Sequence, residues 1–124
     1  MPILALFTAQ LSKEQYDLLR KEVGWATDKP PGGILHVAAF DDQGGIHVAD
    51  VWESAEDLQH FVQSRLLPAF QKHNIPAPAA SVFPVHTADA YPEVSTFIIK
   101  GAAVKSKPKG KAKAKGKKSK KEED

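Results

Sequence analysis

Residues 30–70, PPGGILHVAAFDDQGGIHVADVWESAEDLQHFVQSRLLPAF, constrain the fold more than any other stretch of the chain. They read as a strand, a tight reversal, a second strand and a capped helix. The reversal lies at Asp41-Asp42-Gln43-Gly44-Gly45, where glycine tolerates positive φ and aspartate bonds to nearby backbone. The runs on either side, Ile34 to Phe40 and Ile46 to Trp52, are β-compatible and short enough to pair across it. Ser54 then stands where a helix cap belongs, and Glu56 and Asp57 bring negative charge to the orphan N–H groups of the first turn.

The rest of the chain fits around this unit. Ile3 to Thr8 reads as a first strand, and Ser12-Lys13-Glu14-Gln15 has capping-box spacing. Tyr16, Leu19 and Val23 recur on successive turns with Leu18 beside them, so a first helix is predicted to end near Gly24. In the second helix Leu58, Phe61, Val62, Leu66 and Ala69 form an apolar face, which Pro68 either ends or kinks. Ala80 to His86 reads as a fourth strand, with Pro84 favouring a sheet edge. Val94 to Ile99 is a further β-compatible run that extends the sheet or crosses to a partner subunit. The order β-α-β-β-α-β predicts an α+β, ferredoxin-like domain, an antiparallel sheet with two helices on one face.

Charge divides the chain in two. Residues 1–99 hold six Lys/Arg and twelve Asp/Glu, net −6, whereas residues 100–124 hold eleven Lys and three acids, net +8; together they give the overall +2. The expected organisation is a domain over 1–99 followed by a disordered lysine-rich tail over 100–124. Lys105, Lys107, Lys109, Lys111, Lys113, Lys115, Lys117, Lys118, Lys120 and Lys121 are the candidate polyanion contacts. The tail resembles linker-histone tails in composition only. Without Arg or aromatics it suits phosphate neutralisation on DNA or RNA, not base readout; a merely solubilising tail is the alternative.

The chain has no Cys, which excludes disulfides and thiolate catalysis and is compatible with a cytoplasmic protein. The start, MPILALF, lacks a basic segment and a long apolar core, so it reads as a strand and not a leader. No run approaches transmembrane length.

A sheet with helices on one face leaves its other face to be covered, and a second copy of the chain is the simplest cover. An open sheet binding single-stranded nucleic acid is disfavoured, because the central strands carry Asp50 and Glu53 and no Lys or Arg. The order of elements, His36, the run Asp50-Val51-Trp52-Glu53-Ser54 and Arg65-Leu66-Leu67-Pro68 resemble the dimeric α+β barrel superfamily, in its antibiotic-biosynthesis-monooxygenase-like branch, over residues 1–92. The resemblance implies a homodimer whose sheets pair into a barrel. It also implies an activity that needs no cofactor, such as oxidation of aromatic polyketides, although some members degrade haem and others have no assigned activity.

Strand alternation sorts the candidate site residues. His36, Ala38 and Phe40 share one face of the second strand; Val48, Asp50 and Trp52 share one face of the third. The apolar set Leu35, Val37 and Ala39 is the better match to the helices, which places His36, Phe40, Asp50 and Trp52 in the barrel interior. There Phe40, Val48 and Trp52 would fill the dimer core. His36 and Asp50 are the candidate catalytic pair, a general base and the carboxylate that orients it. Trp25, Phe40, Trp52 and His86 are the candidate walls for a small apolar or aromatic ligand. No metal is expected, since His47 lies on the wrong face to join His36 and His86. Three readings stay open: a ligand-binding dimer, a cofactor-independent monooxygenase or isomerase, and a non-enzymatic nucleic-acid-associated dimer. In the last, His36 is simply a satisfied interior histidine.

Overall fold

The local signals set the elements. In this computed structural model, which describes residues 1–98, the Ser12 hydroxyl accepts the Gln15 N–H and the Gln15 side chain accepts the Ser12 N–H, closing the capping box of α1 (Lys13–Val23). Gly24, at φ 85°, ends that helix in the left-handed conformation. Between β2 (Gly33–Phe40) and β3 (Gly45–Trp52) the Asp41 carboxylate accepts the N–H groups of Gln43 and Gly45 at 2.8 and 2.9 Å, and Gly44 takes positive φ. Ser54 caps α2 (Ala55–Phe61) by accepting the Asp57 N–H at 3.1 Å.

With β1 (Ile3–Gln10) and β4 (Ala79–Pro84), these strands form one antiparallel sheet in the order β2-β3-β1-β4. That is the ferredoxin-like α+β arrangement. Pro84 ends an edge strand, where a missing donor costs no ladder bond.

Pro68 neither ends the second helix nor breaks it. A π turn over Val62–Leu66 precedes α3 (Leu67–Lys72), and the Leu67 N–H reaches five residues back to the Val62 carbonyl. The wider turn carries the chain past a residue that has no N–H to give. Arg65, within that turn, donates to the Val23 carbonyl at 3.1 Å, a cation at the negative end of α1. Glu22 of α1 bonds Lys72 and His73 at 3.3 and 2.8 Å, tying α1 to α3.

One sheet face is covered and the other is bare, and the assignment reverses the expectation from sequence. Ile3, Ala5, Phe7, Ile46, Asp50 and Trp52 are buried, in one core with Leu19 and Val23 of α1 and Leu58, Phe61, Ala69 and Phe70 of the second helical segment. Paired strand positions share a face, so His36, Ala38 and Phe40, opposite Asp50, Val48 and Ile46, also point to the helices. Leu6, Leu35, Val37 and Phe83 lie on the other side and are 41, 44, 51 and 50% exposed. Trp52, expected in a dimer core, is fully buried within the single chain.

Residues Met1–Trp25 and Lys29–His86 make up one compact unit; Ala26–Asp28 and the described residues from Thr87 make up a second. In the latter, the β-compatible run after Val94 falls partly in a 3-10 helix, Pro92–Phe97, and not in a strand. Ser95 and Thr96 turn their hydroxyls back onto the Pro92 and Glu93 carbonyls, a local bonding option that competes with a ladder. The lysine-rich stretch read from sequence lies outside the described residues. Among the described residues, no helix is long and apolar enough to cross a membrane.

Candidate active site between sheet and helices

The centre of β2 and β3 carries the polar cluster. His36 and Asp50 are direct cross-strand partners, and the His36 Nδ1 lies 2.7 Å from Asp50 Oδ1. Asp50 is 2% exposed, and each of its oxygens has a bonded partner, as a buried carboxylate requires. The second, Oδ2, accepts the Trp52 indole N–H at 3.3 Å. From the other side, the Tyr16 Oη of α1 lies 2.7 Å from His36 Nε2.

The protons in this row can be assigned by donor count. An ionised carboxylate only accepts, so His36 Nδ1 carries a proton and gives it to Asp50. Neutral imidazole then has an acceptor at Nε2, which takes the Tyr16 O–H. Burial pushes the Tyr16 phenol above its usual range; the Arg20 guanidinium opposes this, and the Asp50 charge adds to it. The phenol therefore keeps its proton at neutral pH, as the assignment requires.

Aromatic rings wall the cluster. The Trp25 ring stacks on His36 with centroids 4.3 Å apart and planes 22° apart, and it meets Phe61 at 4.8 Å. Tyr16 meets Phe40 edge to face at 5.9 Å. A cavity of about 60 Å³ opens beside the row, lined by Phe7, Leu19, Trp25, Phe61, Leu66 and Phe70 together with Tyr16, Arg20, His36 and Asp50.

The structure thus brings together His36, Asp50, Trp25 and Trp52 of the residues singled out from sequence, with Phe40 at the edge through Tyr16. They meet in a pocket of one chain, not in an interior enclosed by two sheets. His86 does not join them: it lies beyond the end of β4 and is exposed. His47 bonds Asp41 at 2.8 Å at the hairpin end, and among the described residues no three His, Asp or Glu side chains are placed to share a metal ion.

Two residues of the site were missed in the sequence. Tyr16 was read only as part of an apolar stripe, and Arg20 was given no role. The usable signal was that a sheet-facing tyrosine must find a partner for its hydroxyl, and the capping box had already fixed the phase of α1.

No family model matches the sequence, and no curated protein matches it. Solved structures do. Rv0793 from Mycobacterium tuberculosis is 13% identical, with 72% of this chain and 100% of that one covered at a TM-score of 0.57. A Deinococcus radiodurans structure named for the antibiotic biosynthesis monooxygenases is 15% identical, covering 72% and 97% at 0.51. SnoaB, a cofactor-independent oxygenase from Streptomyces nogalater, is 12% identical, covering 70% and 93%, also at 0.51. At these identities the likenesses speak to architecture: the chain has the ferredoxin-like α+β fold of the antibiotic-biosynthesis-monooxygenase structures.

Proposed function

We propose that this protein binds a small apolar or aromatic ligand in the pocket between sheet and helices and withdraws an acidic proton from it. The observation that carries the reading is the unbroken row Tyr16–His36–Asp50, with both links at 2.7 Å. A ligand O–H bonded to Tyr16 Oη would pass its proton to that oxygen while the phenol proton moves to His36 Nε2. Asp50 then holds the resulting imidazolium, and the ligand is left as an anion.

Cofactor-independent oxygenation, the activity in the name of SnoaB, is a reaction this step can start. A deprotonated hydroxyarene is electron-rich and reduces dioxygen directly; the phenolate, dioxygen and the proton held on His36 together balance as a quinone and water.

The ligand must make room for itself. A cavity of about 60 Å³ is less than half of the roughly 150 Å³ that admits benzene. Trp25 is half-buried, stacks on His36 and follows the left-handed Gly24, so its ring is the one placed to give way, with the ligand ring taking its position over the imidazole. The probe is p-nitrophenol, whose phenolate is coloured. Held below the pH at which the free dye ionises, binding to the wild type should raise the phenolate band, and Tyr16→Phe or His36→Asn should bind without that rise. Binding by the wild type with an unchanged spectrum would sink the proton-transfer reading and leave a ligand pocket without turnover.

Assembly follows from the bare sheet face. We infer that Leu6, Leu35, Val37 and Phe83, all substantially exposed, are covered by the same face of a second copy, since an apolar sheet surface of this kind is a liability in water. The charge asymmetry of the sequence supports one more reading, that residues 100–124 give weak, salt-sensitive attraction to polyanions such as DNA or RNA. Mobility shift at two salt concentrations, comparing the full chain with one stopped after Ile99, tests it. Equal binding by both forms would assign any affinity to the domain.

A further inference from the structure

The charges lining the pocket are unequal in what they have left to bond. Of its lining residues only Asp50 and Arg20 carry full charges. Both Asp50 oxygens are engaged, one by His36 and one by Trp52, so a ligand cation would compete with those bonds. Arg20 bonds the Tyr16 hydroxyl and pairs with no carboxylate among the described residues, although it is half-buried at the wall of a largely apolar pocket. A guanidinium in such a place has further donors of its planar fork to offer, and the geometry of that fork matches a carboxylate.

Position adds the second constraint. Tyr16 and Arg20 are four residues apart on α1, which stacks them on one face about 5–6 Å apart at Cβ. The hydroxyl-handling group and the anion-handling group therefore stand side by side at one wall. Next to Tyr16 lies His36, and the Trp25 ring packs on His36 and against Phe61. A single ring that carries a hydroxyl and, across or one position further round, a carboxylate can meet all three.

We propose that Arg20 sets the substrate class of this pocket: a hydroxyaromatic acid, bound by its carboxylate at Arg20, by its hydroxyl at Tyr16 and by its ring over His36. The proposal rests on the proton-transfer reading for the role of the hydroxyl, but not for the role of the carboxylate. Once the hydroxyl is deprotonated, the same guanidinium also lies near the new anion.

The test compares two probes of nearly the same shape, 3-hydroxybenzoate and 3-hydroxybenzyl alcohol, by calorimetric titration of the full-length protein. The wild type should prefer the acid by on the order of 10- to 100-fold, the scale of a charge-assisted hydrogen-bonded pair. In Arg20→Gln that ratio should fall to about one, and Arg20→Lys, which keeps the charge and loses the fork, should fall between. Circular dichroism of each variant checks that the fold is retained, and the ratio within one variant is insensitive to any general loss of affinity. A wild type that binds both probes equally, or binds neither, overturns the assignment; so does an unchanged ratio in Arg20→Gln. The p-nitrophenol spectrum reads the relay independently, so a lost carboxylate preference with an intact phenolate rise would discard Arg20 alone.

Discussion

The two faces of the sheet are both apolar, yet they do opposite work. The covered face carries Ala5, Phe7, Ile46 and Trp52 against the helices, and set among them is the bonded row that ends at Asp50. The bare face carries Leu6, Leu35, Val37 and Phe83 with no charged group between Leu35 and Ala39 on its edge strand β2. Hydrophobicity alone would therefore choose the bare face for the core, because it is the cleaner of the two. What the covered face has instead is mutual satisfaction: each polar atom there has a partner within the chain, which makes burial affordable. Purity of an apolar surface indicates what it avoids, water, but not what it meets.

The sharpest break in that comparison is expected at Trp52. Its ring has no exposure and touches Trp25 and Phe61 at 6.0 and 5.1 Å between centroids, so Trp52→Ala should cost about 3–5 kcal/mol. Val37→Ala, on the bare face, should stay within about 0.5 kcal/mol at protein concentrations low enough to keep the chain single. Urea denaturation of the two variants under one set of conditions gives the contrast, and comparable midpoints would show that the faces had been assigned wrongly.

Next in size is Asp50→Ala, which strands the His36 Nδ1–H and the Trp52 N–H together, at about 1–3 kcal/mol for each donor left without a partner. Asp50→Asn offers one acceptor oxygen in place of two and should lie between that variant and the wild type in the same denaturation series. An Asp50→Ala protein as stable as the wild type would mean that the row is not formed in solution.

A charge on the bare face should leave the single chain folded while abolishing association. Val37→Glu is therefore expected to elute as a monomer with wild-type circular dichroism, whereas the wild type is expected to scatter light as a dimer. If the wild type is itself monomeric at high micromolar concentration, the bare face needs a different occupant.

The smallest effect is at the hairpin end, where His47, on the bare side, bonds Asp41. That contact, with the Gly45 and Gln43 N–H groups, holds the Asp41 carboxyl down at about 2. A depressed acid stabilises the folded form above its unfolded value, here 3.8, and the contribution disappears as pH falls through the folded value near 2. Both side chains are about half exposed, so solvent screening keeps the gain small. Carbon-detected NMR titration should place Asp41 well below the ordinary value of 3.8, and His47→Ala should move it upward. An Asp41 that titrates like an ordinary surface carboxyl would show the contact to be sparsely populated.

Much of this architecture was legible in the chain because its signals are local. The capping box at Ser12, the Ser54 cap and the Asp41 reversal each act over a few residues, and each forms as read. The site was legible as a set: alternation grouped His36 with Phe40, and Asp50 with Trp52. Which side of the sheet that set faces was not legible, because a period of two says which residues travel together and not what covers them. The answer depended on Tyr16 and Trp25, which approach from elements far along the sequence. Val94 to Ile99 reads as β-compatible for a related reason, since β-branched composition takes no account of the Ser95 and Thr96 hydroxyls, which bond back to the Pro92 and Glu93 carbonyls.

The π turn at Val62–Leu66 bears on how this protein tolerates changes in length. Phe61 and Phe70 both line the pocket, yet nine residues of regular α-helix would set them about 180° apart. One surplus residue taken up in the turn brings that to about 80°, the spacing of near neighbours on one side. The turn is thus an absorbed insertion, with the residues beyond it kept in step with the sheet. Deleting Ser64 should let the segment relax to plain α-helix with Phe70 still facing inward, limited by the missing N–H of Pro68. Deleting any single residue of α1 has no such slack to draw on, and should rotate Leu19 or Val23 out of the core.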